Sequence, residues 1–176
     1  MNVLLQEASP TPPAGLEEFL LKLGTGENGF GGTPFAAGRI TLTAYLQNLV
    51  DRSNPSRPLP PDRVPQTIFW ILGETGKTIG MLRMRHYLND NLLHHGGHIG
   101  YYIHPAERGK GCGKQALGRA LRELARLGEK RALLTTDADN HPSISVIEAN
   151  GGILEDQRID ESSGVLFNRY WIDLKA

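Results

Sequence analysis

The chain has 176 residues, the size of one ordinary domain, and its 39% hydrophobic and 22% charged residues exclude both a disordered segment and a membrane-embedded one. Nineteen Lys and Arg balance nineteen Asp and Glu, which argues against a non-specific nucleic-acid binder. Cys112 is the single cysteine, so there is no internal disulfide; with no basic-then-apolar leader and no long apolar run, a soluble cytoplasmic protein is expected.

Gly and Pro together make 32 residues, and they cluster. Residues 9–15 and 53–65 are Pro-rich connectors, while 24–32 (GTGENGFGG) is Gly-rich and reads as a loop. Between them, Leu16–Leu23 and Ile40–Val50 carry apolar residues at helical spacing. Gln66–Leu72 and Thr78–Tyr87 are rich in β-branched and aromatic residues and flank a turn at 74–77, the pattern of a β-hairpin. Residues 88–97 read as a loop and His98–His104 as a strand.

A helix follows from about Cys112 to Leu127, with Leu117, Leu121 and Leu124 on one face and Arg119, Arg122 and Arg126 turned to solvent. Arg131–Thr136 is a strand of buried type, Pro142–Ala149 a short helix, and Ile153–Glu155 and Val165–Leu174 are closing strands. This order predicts one α/β domain, a three-layer sandwich around a mixed, mostly antiparallel sheet. No internal repeat is present.

The informative segment is His98–Gly113, HIGYYIHPAERGKGCG, a strand that runs into a glycine-rich turn and then a helix. Glycines there let main-chain N–H groups converge on an anion, and the helix N-terminus adds about half a positive charge. A nucleotide P-loop fails at two positions, and a dinucleotide fingerprint would need glycine where Lys114 stands. The pattern of Arg, two residues, Gly, one residue, Gly fits without a gap at Arg108, Gly111 and Gly113. It resembles the acyl-CoA pyrophosphate loop of the GCN5-related N-acetyltransferase (GNAT) superfamily. The strand before the loop, the leucine-faced helix, RALLTT, and Asn140, Ser143, Glu148 and Asn150-Gly151-Gly152 extend the resemblance across residues 66–174. RHYLND, GGHIGY and RYWI resemble a bacterial branch with unassigned acceptors.

The resemblance implies a GNAT-like fold with an opening between two parallel strands, acetyl-CoA as donor, and direct attack by a primary amine on the thioester, with no metal. Carried over residue by residue, Gly109, Gly111, Cys112 and Gly113 would hold the diphosphate by main-chain groups, with Arg108, Lys110 and Lys114 beside it. Tyr102 and Ile103 would serve pantetheine and the thioester carbonyl, and Asn140 and Ser143 would border the other side. Residues 105–131 agree locally, with eight basic against three acidic residues.

Many superfamily members place a tyrosine before the glutamate of the last loop to protonate the departing thiolate, where this chain has Ile147 before Glu148. Tyr170 is the candidate acid, against a core role for an aromatic in a closing strand. His98, with an ordinary pKa near 6.5, suits deprotonation of the amine, against a role in holding the Gly96-Gly97 turn. His86 is the runner-up base, and Arg85, Asn89 and Asp90 are candidates for reading the acceptor. His94, His95 and His98 invite a metal reading, but no Cys or carboxylate is spaced to complete a site, so none is expected. Cys112 is an unpromising nucleophile, since its position in the loop points away from the anion. The acceptor is a small-molecule or peptide amine, shaped by residues 1–65; neither nucleic acid nor membrane is expected as a partner, and a homodimer stays open. Two rivals are a non-catalytic acyl-CoA sensor and a nucleotide module unrelated to CoA.

Overall fold

A computed structural model describes residues 2–175. In chain order it contains β1 (Leu4–Glu7), α1 (Leu16–Leu23), β2 (Gly26–Glu27), β3 (Phe30–Gly31), α2 (Leu42–Ser53), β4 (Gln66–Leu72) and β5 (Thr78–Arg85). There follow α3 (Asp90–His94), β6 (Ile99–Ile103), a short 3-10 turn at Pro105–Glu107, α4 (Cys112–Arg126), β7 (Arg131–Asp137), α5 (His141–Glu148), β8 (Ile153–Ile159) and β9 (Leu166–Asp173).

The strands form a four-stranded sheet in the order β1-β4-β5-β6 and a three-stranded sheet in the order β7-β9-β8, every ladder antiparallel. β6 and β7 meet at one bridge, Gly97 with Leu134, and form no ladder beyond it. The predicted parallel pair is therefore an interruption between two sheets.

β4 shows why the centre of the molecule reads as an unbroken apolar run. Phe69 and Ile71 pack towards α4 with Leu82, Leu117, Leu121 and Leu124, whereas Ile68, Trp70 and Leu72 pack against Leu16, Leu20, Leu46 and Leu49 of α1 and α2. A strand covered on both faces needs no polar alternation. The sheet is thus the middle of three layers, and α4 buries its leucines and leaves Arg122 and Arg126 exposed as its periodicity predicts. Among the described residues no helix is long and apolar enough to cross a membrane.

Four elements escape sequence reasoning. β1 is only four residues long and is ordered by pairing with β4. β2 and β3 form a two-stranded hairpin inside the Gly-rich segment, closed by Asn28 (φ 49°) and Gly29 (φ 77°). Two consecutive positive φ values mark the Asn-Gly hairpin turn, so the signal was present in the dipeptide. α3 is a single capped turn in which Asn89 Oδ1 accepts Leu92 N–H at 3.0 Å. β8 runs four residues beyond its predicted end at Glu155, through DQRI, because a strand at the edge of its sheet tolerates polar, exposed side chains.

Leu117→Ala should destabilise the protein by about 2–5 kcal/mol, since it empties a fully buried position between α4 and the sheet. Urea unfolding followed by circular dichroism reads that loss directly, with the slope unchanged.

Candidate active site

A cavity of about 460 Å³ lies along β6, between the start of α4 and the start of α5. Tyr101, Tyr102 and Ile103 of β6 form its floor, Arg108 to Lys114 one wall, Asn140, Pro142, Ser143 and Val146 the opposite wall, and Glu27, Asn28 and Phe30 a lip. Of the eleven residues assigned to the cofactor from sequence, Lys110 alone does not line it. Lys110 Nζ pairs instead with Glu107 at 3.0 Å.

The wall is a helix start stripped of side-chain caps. Gly111 is the N-cap of α4, at φ 78°, and makes no capping hydrogen bond through a side chain. Gly109 also has positive φ, at 73°. A Cβ added to either would meet no heavy atom within 4 Å, so the space over these two glycines stands open. An uncapped N-terminus of a 15-residue helix, facing a cavity through a glycine turn, is suited to an anion.

The register of β6 fixes what the floor offers. Arg85 N–H donates to His98 O and His104 N–H donates to Ile79 O, so in the β5–β6 ladder residues 98, 100, 102 and 104 turn their main chain towards β5. Alternation then turns the N–H groups of Tyr101 and Ile103 the other way, into the gap. The expectation of Tyr102 and Ile103 as main-chain donors is therefore corrected by one residue: Tyr101 replaces Tyr102. Tyr102 contributes its ring, which lies 5.3 Å beneath the Arg108 guanidinium and 6.1 Å from Phe30.

Tyr101 is notable on its side-chain face as well. Its hydroxyl oxygen is buried without a hydrogen bond of good geometry, with Ser143 as its neighbour, and burial pushes its pKa up to about 12. The phenol therefore stays protonated at neutral pH.

The proposed catalytic pair lies outside the cavity. His98 is 3% exposed; its N–H donates to Leu133 O at 2.7 Å and its Nδ1 accepts Leu133 N–H at 2.9 Å. Burial, with Arg85 nearby, lowers its pKa to about 4, and Nδ1 is already occupied. His98 thus clasps β7 at the closed end of the gap, and it is neutral. Strand parity placed it on the face of Tyr102, but parity does not show that the ring is spent on a neighbouring strand. Tyr170 Oη lies 3.3 Å from Glu148 Oε1, its pKa raised by burial and by that carboxylate, and the residue belongs to the core under α4.

The acceptor candidates also have structural tasks. Arg85 donates to Gly96 O and Gly97 O at 3.1 and 2.7 Å, so the turn assigned to His98 is held by arginine. His86 Nε2 is 2.8 Å from Thr67 Oγ1, and Asn89 caps α3. None of the three lines the cavity. His94 meets Arg158 and His95 stacks on Phe167 at 4.1 Å; among the described residues no group of His, Cys, Asp and Glu could hold a metal. Cys112 is 1% exposed, and burial pushes its thiol up, contrary to what a nucleophile needs. Glu27, Phe30 and Tyr101 are cavity residues that sequence reasoning missed.

Comparison with known proteins now decides the family. Residues 41–151, more than half the chain, match the Acetyltransferase (GNAT) family. The chain belongs to that family. No curated protein matches the sequence. Among solved structures, this GNAT chain resembles a Salmonella typhimurium protein described as an acetyltransferase and solved with acetyl-CoA, at 15% identity and TM-score 0.67, covering 98% of this chain and 94% of that one. A chimaeric spermidine N-acetyltransferase from Vibrio cholerae gives 16% identity and TM-score 0.68 over 99% and 96%. A phosphinothricin acetyltransferase from Sinorhizobium meliloti in complex with acetyl-CoA gives 15% and 0.66 over 99% and 89%. At such identities the likeness establishes the shared acyl-CoA N-acyltransferase fold.

The neutral buried His98 carries a pH signature. Its folded pKa is below its unfolded value of 6.5, so the unfolded chain binds the extra proton between pH 6.5 and about 4. Stability from this residue is fully present above pH 6.5 and is lost as pH falls through that window, by roughly 3 kcal/mol at most. Urea midpoints should fall accordingly in the wild type, and His98→Gln should lower the midpoint at pH 7 and flatten its pH dependence.

Proposed function

We propose that this acetyltransferase moves the acetyl group of acetyl-CoA onto a primary amine by direct attack, with the donor seated in the cavity between β6 and the starts of α4 and α5. The observation that carries this reading is the uncapped start of α4, with Gly109 and Gly111 in left-handed conformation, facing a cavity whose floor offers unpaired main-chain N–H groups. The diphosphate would lie on the N–H groups of residues 109–114, where the helix end supplies partial positive charge and Arg108 and Lys114 line the same cavity. Coenzyme A bound to two of the structurally similar proteins supports the choice of donor.

The Tyr101 and Ile103 N–H groups face the gap, and the first of them would polarise the thioester carbonyl as charge develops on its oxygen. The amine nitrogen attacks the carbonyl carbon, a C–N bond forms, the C–S bond breaks and its electron pair leaves on sulfur. Tyr101 lines the cavity with its hydroxyl buried beside Ser143, and we assign that hydroxyl as hydrogen-bond donor to the sulfur of the seated donor; the proton lost by nitrogen completes the free thiol. Deprotonation of the amine is left to solvent at the mouth, because His98 is neutral and outside the cavity. The general base and acid first assigned to His98 and Tyr170 thus give way to solvent and Tyr101.

Isothermal titration calorimetry with acetyl-CoA should show binding to the wild type that Gly111→Val weakens by at least tenfold, since a side chain there is both strained and inside the cradle. Absence of heat in the wild type would overturn the donor site. Tyr101→Phe should lower kcat for thiol release by about 10²-fold with little change in acetyl-CoA affinity. The kcat/KM profile should rise towards alkaline pH without an inflection near 6.5; such an inflection, abolished in His98→Gln, would return the base to histidine.

A further inference from the structure

The lip of the cavity carries an ion pair that the donor-site reading leaves without a task. Glu27, at the end of β2, accepts a short hydrogen bond from Arg108 Nη2, the arginine that opens the glycine-rich loop. The two side chains are about equally exposed, 41% and 42%. Arg108 is steered towards the lip by a second bond, Nε to Ile103 O at 3.0 Å, and by its stacking on Tyr102.

The backbone of Glu27 is fixed by its pairing with Phe30. Asn28 and Gly29 turn the hairpin, and a Cβ at Gly26 would lie 1.9 Å from Phe30 O, so the two short strands are pressed together. Phe30 then anchors the hairpin against Tyr102 and over Gly100. The other acid lining the cavity, Glu107, is paired with Lys110.

Resting on the proposed donor site, we infer that Glu27 is the selectivity residue for an acceptor that arrives as an alkylammonium cation, and that donor binding makes it available. An exposed ion pair is worth at most about 1 kcal/mol. A diphosphate offers Arg108 a doubly anionic, bidentate alternative, so the guanidinium exchanges partners at little cost. Glu27 is then left facing the cavity without its cation, and the acceptor ammonium restores the balance. Donor and acceptor binding are coupled through this one carboxylate, which hinders the donor slightly and recruits the acceptor.

Glu27→Gln separates these effects because it moves the two substrates in opposite directions. Calorimetry should show acetyl-CoA binding about two- to fivefold tighter in the variant. Steady-state thiol release should show KM for an alkylammonium acceptor, with 1,4-diaminobutane and n-butylamine as probes, raised about tenfold, and KM for uncharged aniline unchanged. Glu18→Gln, which removes a carboxylate from the exposed Glu18–Lys22 pair on α1, controls for net charge and should move neither. Unchanged donor affinity or unchanged ammonium KM in Glu27→Gln overturns the inference while leaving the donor site intact, as does a wild type that acetylates aniline but no alkylammonium, or no amine at all. A wild type that binds no acetyl-CoA fails at the earlier step, and both readings fall together.

Discussion

The architecture turns on a hydrogen-bonding mismatch: β6 and β7 are neighbours that do not pair. In a sheet, each strand normally satisfies main-chain groups on both edges. Here β6 is satisfied on its β5 edge and β7 on its β9 edge, and between them the two sheets are joined by one bridge, by the His98–Leu133 contacts, and by hydrogen bonds from Gly96 to Thr135 and from Arg169 to Leu93. Past that point, main-chain donors and acceptors look into a cavity. The core makes this tolerable, because α4 packs across both sheets, against Phe69, Ile71 and Leu82 of one and Ala132, Leu134, Tyr170 and Ile172 of the other, while α1 and α2 cover the second face of the four-stranded sheet.

Electrostatics follows the same division. The basic surplus of residues 105–131 looked in sequence like one cationic patch, but the folded chain distributes it. Lys110 binds Glu107, Arg126 binds Glu123, Arg131 binds Asp173 and lies over Trp171, and Arg108 reaches Glu27. Four of the eight bases are thus paired with acids, so the stretch is less cationic in the fold than its composition suggests.

How much was legible depended on whether a feature is written locally. Arg108 to Gly113 is contiguous, and glycine at positive φ leaves an unmistakable residue type, so the loop and ten of its assigned cavity residues could be read from sequence. The leucine spacing of α4 was equally legible. His98, Arg85, His86 and Asn89 carry side chains suited to chemistry, yet each is occupied by a partner distant in sequence: Leu133, the 96–97 carbonyls, Thr67 and Asp62. Residue type and strand parity contain no record of such partners. Tyr101 was missed for the opposite reason, since a tyrosine among aromatics and isoleucine in a strand reads as packing until the register shows which edge is unpaired. The Asn28-Gly29 turn was legible in principle, but its glycine-rich surroundings diluted it.

The His98–Leu133 contacts also set where the cleft ends. Because both the main chain and the ring of one residue grip the N–H and C=O of the other, beside the Gly97–Leu134 bridge and the Gly96–Thr135 hydrogen bond, sliding one strand along the other would break several contacts at once. The register between the two sheets is thus locked at one end, although no ladder runs between them.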